Sequence, residues 1–217
     1  FGGTAIIADN NLPAAISLCD ELGDRAIPVY VNVNDKSTIQ SAISDIEKID
    51  ILINNAANDP KVDGLSSDTR FETMTENFWL DGIGTILNGT FFCSQVIGNK
   101  MLESNGGVIL NIVSDLGVIA PDQRIYHKDA PKPITYSAAK WGVLGMTKYL
   151  ATYFASRNIR VNSLSPAGVY VNQPDEFVEK LTNLIPMGRM AGVDDYKGAI
   201  VFLCSDASSY MTGSNII

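Results

Sequence analysis

The sequence predicts an α/β fold in which a parallel sheet is covered by helices on both faces. Three observations carry that prediction. Strand-like runs alternate with helical patterns along the whole chain, as in βαβ units. Runs such as DILINNA (50–56) and GVILNIV (107–113) are nearly continuously apolar, the pattern of strands buried on both faces. Finally, 217 residues, 46% hydrophobic and 18% charged, are enough for one core, and no repeat or low-complexity linker divides them.

In order, residues 4–9 (TAIIAD) form a short strand ending in Asp9, and 12–22 read as a helix. Residues 26–33 (AIPVYVNV) are the next strand, after which Asp35 N-caps a helix running to about 49. The third strand spans 50–56, a long helix lies within 71–103, and 107–113 is the fourth strand. Residues 135–157 are helical, 160–165 a strand, 176–185 and 194–204 helical, and 214–217 open a last strand. Right-handed crossovers make this a doubly wound, Rossmann-like layout in a single domain, 1–217. Ligands of such sheets lie beyond the carboxyl ends of the strands. Polar residues there are Asp9, Asn32, Asn54, Asn55, Ser114 and Ser165.

The bulk properties exclude other classes. A net charge of −8 repels phosphate backbones, and no basic run offsets it, which argues against nucleic-acid binding. No apolar run approaches the roughly 18 residues that cross a bilayer. Cys19, Cys93 and Cys204 form no CxxC pair, and their apolar neighbours predict buried, reduced thiols in a cytoplasmic protein. His127 is the only histidine and offers no metal site.

The chemistry centres on Tyr136-Ser137-Ala138-Ala139-Lys140. Residues i and i+4 share a helix face, so phenol and ammonium can point into one cleft. A lysine cation and an oxidised nicotinamide each favour the phenolate, drawing a phenol that titrates near 10 toward useful acid/base range. Asn54-Asn55-Ala56-Ala57 follows an apolar strand, where small residues allow close backbone approach to a cofactor. Ser114 ends the next strand, and Pro166-Ala167-Gly168-Val169 ends the one after the tyrosine helix.

In this order, these segments resemble the Asn-Asn-Ala-Gly motif, catalytic serine, Tyr-x-x-x-Lys and Pro-Gly turn of the short-chain dehydrogenase/reductase family. Pro186-Met187-Gly188-Arg189 and Tyr210-Met211-Thr212-Gly213 resemble two further landmarks of that family. The resemblance implies that Tyr136 is the general acid in reduction and the general base in oxidation. It implies that Ser114 hydrogen-bonds the substrate oxygen. Lys140 would hold the nicotinamide ribose and Val169 the carboxamide. Asn55, Ala56, Ala57, Pro166 and Gly168 would line the cofactor, with Asn32 and Val33 against the adenine. Asp9 would bind the adenosine ribose and repel a 2′-phosphate, favouring NAD over NADP; its bland alternative is helix capping. The implied reaction interconverts a secondary alcohol and a ketone, and the motif order resembles members acting on sugars or sugar nucleotides. The long helices within 71–103 and 135–157 resemble those that pair family subunits, implying a homodimer or homotetramer.

The chain also departs from the family pattern. It opens at Phe1 without the family's first strand and glycine-rich loop and closes in an apolar run at Ile217, which predicts a fragment of a longer chain. Ile86 stands where an asparagine usually relays protons, and Asn88, two helical steps on, should face elsewhere. Ala57 replaces the motif's glycine, and Val171 a threonine near the carboxamide. The alternative function is therefore a nucleotide-binding or regulatory protein with weak or no turnover. The stretch from Ser114 to Tyr136 is long for the family. Arg124, His127, Lys128 and Lys132 on it could meet an anionic substrate, but Asp115, Asp122 and Asp129 nearly cancel their charge, which predicts a solvated loop.

Overall fold

A computed structural model describes residues 2–59 and 69–217. The elements run β1 (Ala5–Asp9), α1 (Leu12–Leu22), β2 (Ala26–Tyr30), α2 (Lys36–Ala42), β3 (Ile51–Asn54), α3 (Glu76–Ile83) and α4 (Gly89–Glu103). They continue with β4 (Gly107–Ile112), α5 (Ile134–Phe154), β5 (Ile159–Leu164), α6 (Asp175–Thr182), α7 (Lys197–Cys204) and β6 (Asn215–Ile216). Every strand pairing is parallel, so each connection crosses over, as the strand–helix alternation predicts.

The strands fall into two sheets among the described residues. β1 pairs with β2, and β3, β4, β5 and β6 pair in that order. One core nevertheless spans both. Val31 beyond β2 and Ile39 of α2 pack with Leu52 of β3, Ile109 of β4, and Ile159 and Val161 of β5. Cys93 and Met101 of α4 and Ala151 and Phe154 of α5 close the cluster from the helices. A second apolar group, Leu110, Leu164 and Leu203, seats α7 on the opposite face. Helices thus cover both faces of the four-stranded sheet.

Local chemistry sets the element ends. Asp35 accepts from the Ser37 N–H at 2.9 Å and caps α2 as predicted. The helix stops at Ala42 instead of near residue 49. Ile43 and Ser44 turn back by three residues, and the Ser44 hydroxyl bonds the Ser41 carbonyl, a side-chain competitor to the helical ladder. The long helix predicted within 71–103 begins at Glu76, where Thr75 accepts from the Phe78 N–H. It is interrupted by one π-helical stretch, Gly84–Asn88, between α3 and α4. Cys19 and Cys93 are buried and Cys204 partly so; all three are free thiols. No described helix is long and apolar enough to cross a membrane, and no group of metal-ligating side chains occurs among the described residues.

Candidate active site

The carboxyl ends of β3, β4 and β5 lie side by side because their register pairs Asn54 with Asn111 and Asn111 with Ser163. A buried polar chain ties these ends to the helices. Asn54 Nδ2 donates to Asn111 Oδ1 at 2.8 Å and to Ser94 Oγ of α4 at 3.0 Å. Asn111 Nδ2 donates to Thr147 Oγ1 of α5 at 2.9 Å, and that hydroxyl donates to the Val143 carbonyl. Inside a sheet, unpaired amides would be costly, so this chain fixes how α4 and α5 sit on the strands. Nothing in residue spacing marked Asn111 or Thr147 for this role. Asn111 lies in the strand run just before Ser114, but its partners come from elements distant in sequence.

Ser114 follows β4 and is buried. Its hydroxyl donates to Asp115 Oδ1 at 2.8 Å and accepts from the Leu116 N–H. The Asp115 N–H in turn donates to the Pro166 carbonyl at 2.9 Å, joining this turn to the segment after β5. Gly117 makes the close approach possible. A Cβ there would lie 2.5 Å from Val113 Cγ1 and 3.1 Å from the Lys140 main chain, so only glycine lets the turn rest against α5.

Tyr136 and Lys140 stand on the first turns of α5, as predicted. Lys140 is 3% exposed, and its Nζ donates to the Ile112 carbonyl at 2.8 Å while lying 5.6 Å from the Tyr136 ring centre. Burial pushes the Lys140 ammonium down to about 8, with Asp59 opposing and Lys132 assisting. The Tyr136 phenol is pushed up to about 12, chiefly by burial and then by Asp59, while a contact with the Ser114 hydroxyl opposes the shift. The direction is the reverse of the one predicted from the lysine alone. Desolvation of the phenolate outweighs one cation that spends a hydrogen bond on a carbonyl.

The loop before α5 is not uniformly solvated. Arg124, His127 and Lys128 are exposed; Arg124 pairs with Asp122, and His127 Nδ1 accepts from the Asp129 N–H. Lys132 departs from the prediction. Its side chain is 7% exposed, its Nζ meets Asp59 Oδ1 at 2.5 Å, and the same nitrogen lies 4.0 Å from the centre of the Tyr136 ring. Tyr126 of the same loop packs at a tilt against Phe177 of α6, and burial raises its phenol. Ile86 is 1% exposed and packs with Val113, Ala139 and Val143, whereas Asn88 is exposed and faces elsewhere, as its spacing predicted.

The residues expected from the sequence to face a cofactor are placed as follows. Asp9 is exposed, and its carboxylate accepts from the Asn11 N–H at 2.7 Å; Asn11, not Asp9, caps α1 by accepting from Ala14. Asn32 Oδ1 closes a turn with the Asn34 N–H. Val33 packs against Gly89, where a Cβ would come within 2.7 Å of it. Asn55, Ala56 and Ala57 are exposed beyond β3. Gly168 and Ala191 bond through their main chains, and the Val169 carbonyl accepts from Gln173 Nε2. The Val169 N–H has no acceptor among the described residues. An exposed carboxylate, a main-chain N–H without an acceptor among the described residues and an ammonium with one acceptor could bond hydroxyls and a carboxamide, groups that a nicotinamide dinucleotide carries.

A phenol, a serine and a lysine at the carboxyl ends of a parallel sheet define a nucleotide-dependent oxidoreductase of Rossmann-like build. A family model described as enoyl-(acyl carrier protein) reductase matches residues 2–217. The chain is 31% identical to the 3-oxoacyl-[acyl-carrier-protein] reductase FabG of Thermotoga maritima, over 99% of this chain and 85% of that protein. It is 31% identical to the D-threitol dehydrogenase of Mycolicibacterium smegmatis, over 100% of this chain and 82% of that one. The short-chain dehydrogenase of Leptospira borgpetersenii solved with bound NAD+ superposes with a TM-score of 0.86 at 28% identity, covering 100% of this chain and 91% of that one. The chain belongs to the short-chain dehydrogenase/reductase family and is an NAD(P)-dependent oxidoreductase of the alcohol–ketone type.

Proposed function

We propose that the chain interconverts a secondary alcohol and a ketone with NAD in preference to NADP, on a polyhydroxylated substrate of sugar or sugar-nucleotide type. The observation that carries this reading is the convergence of Ser114, Tyr136 and Lys140 where β4 ends and α5 begins. A bound nicotinamide dinucleotide accepts or supplies the hydride. Tyr136, protonated at neutral pH, donates to the ketone oxygen in reduction and takes the proton back in oxidation. Ser114 orients that oxygen once its hydroxyl turns from Asp115, to which it donates here, to the substrate. Lys140 holds the nicotinamide ribose. Asp9 receives the adenosine ribose, Asn32 and Val33 border the adenine, and Asn55, Ala56 and Ala57 line the dinucleotide. Pro166, Gly168 and Val169 face the carboxamide.

The NAD preference is supported by the Asp9 carboxylate and by the NAD+-bound relative. The polyol-like substrate is supported by the similarity to D-threitol dehydrogenase. Phe91 of α4 and Trp141, Tyr149 and Tyr153 of α5 expose aromatic surface, which supports pairing of these helices in a homodimer or homotetramer, to be read by light scattering. The free thiols support a reducing, cytoplasmic location.

The test is Tyr136→Phe in the full-length protein, assayed for NADH oxidation with a panel of ketoses and for NADH binding by fluorescence. Turnover falls by at least about 1,000-fold while NADH affinity changes less than about threefold. A variant with wild-type turnover overturns the reading. The buried Ile86 favours one competitor, a nucleotide-binding protein without turnover. NADH binding with no turnover of any ketose by the wild type would select it.

A further inference from the structure

The side chain least explained by the reaction above is Lys132. Prolines at 131 and 133 flank it, and the second holds its backbone extended. Gln123, nine residues earlier, clamps both of its main-chain groups. Gln123 Oε1 accepts from the Lys132 N–H at 2.9 Å, and Gln123 Nε2 donates to the Lys132 carbonyl at 3.1 Å. The side chain then has one course, inward, where it is 7% exposed. A buried ammonium is expensive unless paired, and Asp59, arriving from the loop after β3, supplies the pair. An apolar side chain would fill the same space without that cost. What the cation adds is its place 4.0 Å from the centre of the Tyr136 ring.

We propose that Lys132 is a positioning residue that sets the proton affinity of Tyr136 from the face of its ring, and that Asp59 acts against it. A phenolate spreads part of its charge into the ring, so a cation over the face favours the ionised form. The groups around Tyr136 divide evenly in sign. Lys140 on its own helix and Lys132 on the preceding loop are cationic. Asp59 on the β3–α3 connection and Asp115 beyond β4 raise the phenol. Ser114 contacts it, and Tyr126 is a second phenol raised by the same two carboxylates. Removing Lys132 leaves an excess negative charge facing Tyr136, and removing Asp59 leaves an excess positive one. The two changes therefore move Tyr136 in opposite directions, which loss of packing would not do.

The inference rests on Tyr136 being the proton donor and acceptor, but its test needs no substrate. The full-length protein is labelled with carbon-13 at tyrosine Cζ and titrated by NMR, Tyr136 being assigned from the resonance missing in Tyr136→Phe. Asp59→Asn lowers the Tyr136 midpoint by about one pH unit or more, and Lys132→Met raises it by as much or beyond the titratable range. Lys132→Arg, which keeps the cation, stays within about half a unit of wild type, and the double variant returns toward it. Circular dichroism confirms that each variant folds; should Lys132→Met unfold, Asp59→Asn and Lys132→Arg decide alone. Midpoints that coincide, or that move the same way in both single variants, overturn the proposal. Turnover surviving in Tyr136→Phe would instead overturn the catalytic reading and leave these titrations untouched.

Discussion

The two sheets are built to different standards. No residue of β1 or β2 is buried, and Ile6, Ile27 and Tyr30 expose apolar surface. In β4 and β5 the ladder is sealed; Leu110, Asn111, Val161, Asn162 and Ser163 are all 0% exposed. The sealed sheet also buries amides and hydroxyls and satisfies them by long-range bonds, from Asn54 through Asn111 to Thr147 and from Asn162 to the Met211 carbonyl. The sealed sheet carries the groups proposed for proton transfer. The catalytic groups need fixed relative positions, because proton transfer depends on tenths of an ångström.

The largest effect that would test this contrast lies at Asn111. Asn111→Ala strips the acceptor from Asn54 Nδ2 and the donor from Thr147 Oγ1 and opens a cavity beneath the site. Each buried group loses one of its two partners, Asn54 keeping Ser94 and Thr147 the Val143 carbonyl, and with the cavity this costs about 3 kcal/mol, seen as a lower urea midpoint at an unchanged slope. A loss below about 1 kcal/mol would mean that water or relaxation replaces the network, and the sealed sheet would then be no more exacting than its neighbour.

How legible each part was follows the same division. Element order and the places of Tyr136, Lys140 and Ser114 could be read in advance, because strand burial, i,i+4 spacing and strand ends are local patterns. The break of the long helix at Gly84–Asn88 was not, since a π-helical stretch depends on what packs beside it. The Asn54–Asn111–Thr147 chain was hidden because its members are 57 and 36 residues apart. Lys132 was misread as part of a solvated loop. Its neighbours in sequence cancel its charge, but its partner in space is Asp59, 73 residues away. The rise of the Tyr136 phenol was likewise invisible, because burial, the dominant cause, is a property of the folded site.

A smaller effect is expected on the open side. Asp9 makes one side-chain bond, to the Asn11 N–H, and stands in solvent, so Asp9→Ser should leave the urea midpoint unchanged within about 0.5 kcal/mol. Its consequence is a change of cofactor. The ratio of NADPH to NADH dissociation constants, measured by fluorescence, falls about tenfold, roughly 1.4 kcal/mol of discrimination. A constant ratio would confine Asp9 to closing the turn before α1.

The smallest effect belongs to the surface of the loop that carries Lys132. The Arg124 guanidinium holds the Asp122 carboxyl at about 2, below its usual 3.8, and Asp122 also accepts from the Arg124 N–H. A carboxyl depressed in the folded state stabilises the protein above its unfolded pKa, and that stabilisation is lost as pH falls through the folded value. Asp122→Asn therefore lowers the Tm slightly at neutral pH, and the difference from wild type closes between about pH 4 and pH 2. Both partners are at the surface, where such pairs contribute little. The informative result is the contrast with Asp59→Asn on the same cluster of loops. If Asp122→Asn also moves the Tyr136 midpoint, charge acts on the phenol from the whole loop surface. If it does not, the effect belongs to the Lys132–Asp59 pair, whose ammonium lies over the ring.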